Sequence, residues 1–124
     1  MQNAVNCTRL FADENGDSHF EDFEITMTEL QYAPPTPPMG ISDPVEASRY
    51  TWFRFPADWS DDGHPSPRRQ MFIVLAGAVK VWTSKGDKRV FSVSDRLLME
   101  DTTGKGHGAQ SHNGAALGLV IAFD

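Results

Sequence analysis

At 124 residues the chain is long enough to enclose one hydrophobic core and too short for two. Its formal charge of −6 argues against nucleic acid, whose phosphates call for an excess of Lys and Arg, and equally against an anionic membrane surface. No apolar run approaches the ~20 residues needed to span a bilayer. Cys7 is the only cysteine, which excludes an internal disulfide and a thiolate metal cluster. The opening MQNAVNCTRL lacks the basic and long apolar stretches of a signal peptide, so a cytoplasmic domain is expected.

The N-terminal segment, residues 1–44, is dense in turn signals. AVNCTRLF (4–11) reads as a short strand and DENGDS (13–18) as a loop. HFEDFEITMTEL (19–30) is ambiguous: Phe20, Phe23 and Met27 have helical spacing, whereas Phe23, Ile25 and Met27 alternate. Aromatic and β-branched residues dominate it and no cap is visible, so a strand is favoured. APPTPPMG (33–40) carries four prolines, which bar it from a sheet interior. It predicts an extended polyproline II arm over the surface, and an SH3-type ligand is disfavoured by the lack of nearby basic residues.

From residue 45 to 124 the pattern becomes regular. Strands are predicted at 46–55, 69–75, 78–83, 87–93, 96–100, 108–112 and 115–123, with turns at SKGD (84–87) and HNGA (112–115) and a sharp corner at Gly77. No heptad, internal repeat or long helix is visible. The fold class is all-β, a sandwich or barrel in one domain.

Two histidine-bearing segments stand out, HPSPRRQMFIVLAG (64–77) and DTTGKGHGAQSH (101–112). With the strand order and the Gly77 corner they resemble the cupin superfamily, small double-stranded β-helix (jelly-roll) barrels. The first cupin motif runs His-x-His, then Glu, then Gly. Here His64 matches the first histidine, Ser66 stands at the second, Gln70 at the glutamate and Gly77 at the close. In the second motif Thr102 replaces a proline, Gly104 and His107 match, and Ser111 replaces an asparagine. Asp95 fits the acidic residue of the preceding turn, with Ser94 at the usual glycine. The match spans about 45–123. The chain is similar, further, to short bacterial single-domain cupins carrying SHFED, APPxPP, HPxPRRQ and EDTTGKGH, here at 18–22, 33–38, 64–70 and 100–107. That kinship implies that the missing histidine and glutamate are traits of a subgroup, and it implies no particular reaction.

A full cupin site holds Fe, Mn, Ni or Zn on three imidazoles and one carboxylate. The resemblance therefore implies one divalent metal ion on His64, Gln70 and His107, held more weakly because an amide is a poorer donor than a carboxylate. The alternative is a hydrogen-bonded His64–His107 pair lining a metal-free polar cavity. Strand alternation adds neighbours: if Gln70 points inward, so do Arg68, Phe72 and Val74, while Arg69, Met71 and Ile73 face out. An inward Arg68 would favour an anionic ligand, unless it pairs with Asp61, Asp62 or Glu100. Ser66, Phe72, Ser111 and Trp59 complete the expected substrate-binding set, with Trp59 at the pocket entrance. Trp52 and Trp82 are expected to pack.

His112 lies five residues beyond His107, on the opposite face of a regular strand, and belongs on the rim unless Gly108 forms a bulge. His19 reads as a surface residue. DTTGKGHG lacks the spacing of a phosphate-binding loop and no helix follows it. Three functions remain open: a divalent-metal-dependent enzyme acting on a small organic acid or carbonyl compound, a metal-free module that binds or senses a small ligand, and a structural scaffold. The resemblance also implies a homodimer, for which EASRYTWFRF (46–55), Met71 and Ile73 offer apolar surface.

Overall fold

The computed structural model describes residues 4–124; residues 1–3, the start of the expected N-terminal segment, lie outside the described residues. The described chain contains no helix, and so none long enough to cross a membrane. It forms twelve strands. In chain order they are β1 (Ala4–Ala12), β2 (Ser18–Thr26), β3 (Thr28–Leu30), β4 (Met39–Ile41), β5 (Arg49–Phe55) and β6 (Ser60–His64). There follow β7 (Gln70–Ala76), β8 (Ala78–Trp82), β9 (Lys88–Ser92), β10 (Arg96–Met99), β11 (His107–Ser111) and β12 (Ala116–Ala122).

Two sheets face one another. The larger has the order β2-β1-β10-β7-β12-β5 and the smaller β6-β11-β8-β9; β3 and β4 form a separate hairpin. Alternation in the sequence produces the facing. QMFIVLA buries Gln70, Phe72 and Val74, AVKVW buries Val79 and Val81, and ALGLVIA buries every second residue. Leu10, Phe72, Val74, Leu97, Met99 and Val120 of the larger sheet meet Val79, Val81 and Phe91 of the smaller to form the core. Gly77 turns the chain from β7 into β8, and so from one sheet to the other. Ser94, at the turn position usual for glycine, adopts φ 75°, and Asp95 secures that turn by accepting the Ser92 N–H at 2.8 Å.

The strands expected at 4–11 and 19–30 are found, as β1 and as β2 with β3, and β1 lies parallel to β10 in the larger sheet through Thr8↔Leu97, Arg9↔Leu98 and Leu10↔Met99. Other expectations change. The proline stretch is not a polyproline II arm. It turns tightly, the Thr36 N–H donating to the Ala33 carbonyl at 2.9 Å, and returns as β4. Strand β6 was invisible in the polar SDDGH because its pairing with β11 forms it, without any apolar alternation of its own. The Asn113–Gly114 turn closes no hairpin; it carries the chain from β11 in one sheet to β12 in the other. Trp52 does not pack, being 61% exposed on β5 at the sheet edge.

Glu100 links three parts of the larger sheet's outer face, accepting hydrogen bonds from Arg9 on β1 and from Arg69 ahead of β7. Partial burial works to raise its pKa, but the hydrogen bonds from Arg69 and Arg9 outweigh it and hold the carboxyl below its ordinary value of 4.5. This contribution to stability is complete above pH 4.5 and is lost as pH falls through the depressed native value. Glu100→Gln is therefore expected to lower the melting temperature at neutral pH and to flatten its decline in acid. Parallel melting curves for mutant and parent across that range would contradict the assignment.

Candidate functional site

His107 opens β11 and lies in register with His64 at the end of β6. The sequence folds this way because Gly106, at φ 74°, lets the loop run against the His64–Pro65 backbone, where a Cβ would sit 2.1 Å from the His64 carbonyl carbon. The two rings are thereby 5.6 Å apart between centroids, tilted by 53°. The expected meeting of the two imidazoles is found, but their environments differ. The His107 ring is 8% exposed and the His64 ring 53% exposed, so His64 stands on the rim.

Behind His107 lies a residue that the sequence reading missed. Asp101 is completely buried, and its Oδ2 lies 2.6 Å from His107 Nδ1. A carboxylate can only accept here, so Nδ1 carries the proton and Nε2 is the ring nitrogen left to face the cavity. The other oxygen, Oδ1, has no hydrogen-bond partner among the described residues. The available signal was an acidic residue shortly before a motif histidine, across a glycine-rich turn that could fold it back.

The cavity beside His107 has a volume of about 180 Å³. Gln70, Ser66, Phe72, Trp59, His64 and His107 all line it. Phe53, Phe55 and Asp61 join them; RYTWFRF has aromatic residues on both strand faces, which concealed which of them point inward. Phe55 lies at the centre of an aromatic cluster, 4.8 Å from Trp59, 5.9 Å from Phe72 and 6.2 Å from Phe53 between ring centroids. Gln70 is 7% exposed, and its amide bonds to no side chain or backbone group among the described residues. The Ser66 hydroxyl is engaged locally, donating to the Arg68 carbonyl at 2.6 Å.

Two expected substrate-binding residues lie elsewhere. Arg68 does not enter the cavity; its Nη1 donates to the Asp124 carbonyl at 2.9 Å. It sits in a bend before β7 begins at Gln70, so strand alternation does not extend to it. Its expected acidic partners are also not used, since Glu100 pairs with Arg69. Ser111 faces away from the cavity and holds the turn that carries Trp59, its hydroxyl donating to the Pro56 carbonyl at 2.7 Å with the Ala57 carbonyl at 2.8 Å. Gly108 does form a bulge, yet His112 lies outside the cavity lining. His19 pairs with Asp13 at 2.6 Å, away from the site.

The donor set does not fit a divalent metal. Among the described residues no three His, Cys, Asp or Glu side chains converge as ligands. His64 Nδ1 faces the Pro65 carbonyl at 2.7 Å and its Nε2 faces Asp61 at 2.7 Å. Both ring nitrogens are therefore engaged within the protein. That leaves His107 Nε2 and a neutral amide, too few for the four ligands of a closed site or the three of an open one. A second, larger cleft of about 670 Å³ lies between β1, β2 and β9, but its arginines are already engaged, Arg89 with Asp22 and Arg96 with the Asn6 and Ser94 carbonyls.

No family model matches the sequence, and no curated protein matches it. Among solved structures the chain is similar to a Cupin 2 conserved barrel domain protein from Salinispora arenicola CNS-205. Identity is 12% and the TM-score 0.50, over 81% of this chain and 76% of that one. It is also similar to the cupin domain of Cnp3 from Schizosaccharomyces pombe, at 16% identity and a TM-score of 0.49, over 100% of this chain and 86% of that one. At such identities the likeness speaks to the fold alone. Two facing antiparallel-rich sheets, a Gly77 crossover and this structural likeness agree: by fold, the chain is a cupin barrel.

Proposed function

We propose that the barrel is a metal-free site for a small organic molecule, engaged through the unprotonated nitrogen of His107. The observation that carries this reading is the buried Asp101–His107 pair, which fixes one tautomer and aims a lone pair at a mostly apolar cavity. An orienting carboxylate of this kind also holds the ring in place, so that its other nitrogen meets a ligand in a fixed direction. Gln70 supplies a neutral amide that can both donate and accept. A cavity of about 180 Å³ suits a ligand well below drug size, for which pockets run to roughly 300–1,000 Å³.

The metal-dependent reading on His64, Gln70 and His107 has less support, because His64 is committed to Asp61 and Pro65. Elemental analysis with chelator dialysis tests the difference. The expected result is substoichiometric Zn, Fe, Mn and Ni, with a melting temperature that the chelator leaves unchanged. One metal per chain whose removal destabilises the protein would overturn the proposal.

A second copy of the chain is the proposed partner. Edge strand β5 exposes Tyr50 and Trp52, and antiparallel pairing of two β5 strands about Trp52 would set each Tyr50 opposite an Arg54, a favourable ring–guanidinium arrangement. Light scattering at micromolar concentration is expected to give the mass of a dimer, reduced to monomer by Trp52→Glu. A monomeric parent would contradict the pairing.

A further inference from the structure

The charge around the cavity is arranged for a ligand opposite in sign to the one the sequence suggests. No Lys or Arg lines the cavity, and Arg68, the one cation expected there, is turned away to the Asp124 carbonyl. The remaining cationic candidate, His64, stands on the rim with the Asp61 carboxylate 2.7 Å away, so any charge it carries is matched. Negative charge is left over: Asp101 lies directly behind His107, completely buried, with Oδ1 unpartnered. An anion entering this space would lose its hydration, find no counter-charge and approach two carboxylates. The polar groups that line the cavity, the His107 ring through Nε2 and the Gln70 amide, can accept from a ligand that donates. Around them stand Phe53, Phe55, Trp59 and Phe72, whose ring faces attract cations and whose surfaces accommodate an alkyl group.

We infer that the ligand is a small organic ammonium ion, its nitrogen donating to His107 Nε2 and its alkyl part lying among the aromatic rings. The inference rests on the reading of this cavity as a ligand site and adds the class of ligand. At about 30 Å³ per water-sized group, 180 Å³ holds about six non-hydrogen atoms, which bounds the ligand's size.

Three probes of nearly equal size and different charge test this: n-butylammonium, 1-butanol and butyrate, each titrated into the full chain at neutral pH while the Gly108 and Ala109 amide resonances are followed. n-Butylammonium is expected to bind about tenfold or more tightly than 1-butanol, and butyrate more weakly than either. Asp61→Asn is expected to lower n-butylammonium affinity severalfold and to leave 1-butanol unchanged, a contrast that a merely folded or misfolded variant would not give. Equal binding of n-butylammonium and 1-butanol, or preferred binding of butyrate, would overturn the ammonium assignment while sparing the cavity. Failure of all three probes to perturb these resonances would overturn both.

Discussion

Asp101→Ala is expected to destabilise the protein by about 3 kcal/mol, a fall in melting temperature of roughly 10 °C for a domain of this size. The carboxylate is completely buried and its Oδ2 is the hydrogen-bond partner of a ring that is itself only 8% exposed. Removing it leaves His107 Nδ1 without an acceptor in a place water does not reach, and the site loses the group that fixes the tautomer. Asp101→Asn separates the two effects. Its carbonyl oxygen can take the place of Oδ2 while its nitrogen occupies the position of the unpartnered Oδ1, so it should recover the ring orientation and a good part of the stability. Denaturant or thermal melts of the three proteins check the order: parent, then Asn, then Ala. An alanine variant as stable as the parent would mean that the pair does not hold the loop.

Gly106→Ala is expected to be comparably severe. The residue sits at φ 74°, where an added Cβ costs about 1–2 kcal/mol from the backbone alone. That Cβ would also lie 2.1 Å from the His64 carbonyl carbon and 2.3 Å from the Pro65 nitrogen, both backbone atoms that move only if β6 leaves β11. Overpacking of this kind adds about 1–3 kcal/mol. The control is Gly86→Ala, at φ 92° with nothing within 4 Å of the added carbon, which incurs the conformational cost only. A difference between the two variants measures the close approach that brings His107 to His64. Equal effects would show that the approach contributes nothing.

How much of this was legible depended on whether a residue lay inside a regular strand. From β7 to β12 the alternation of QMFIVLA, AVKVW and ALGLVIA showed the strands and their inward faces, and Phe72 follows from it once the motif resemblance, which also supplied His107, sets Gln70 inward. Arg68 lies just outside β7, in a proline-containing bend where period-two reasoning does not apply, and there the reading failed. Trp52 misled for another reason: an edge strand with aromatic residues on both faces shows no clean alternation. Polar β6 owes its form to a partner distant in sequence, which no local pattern encodes. The motif histidines located the site, whereas Asp101, the residue that decides what His107 can do, was concealed among turn formers. The architecture was therefore legible in most of its strands, and the chemistry only in its outline.

The most direct measurement is nitrogen-15 NMR of the His107 ring in the untreated protein, with and without a chelator. A buried carboxylate on Nδ1 predicts a ring whose Nδ1 carries the proton in that hydrogen bond, with Nε2 free of metal and unaffected by the chelator. A proton on Nε2 instead, or a metal-shifted Nε2 resonance that the chelator reverses, would contradict the account at its centre.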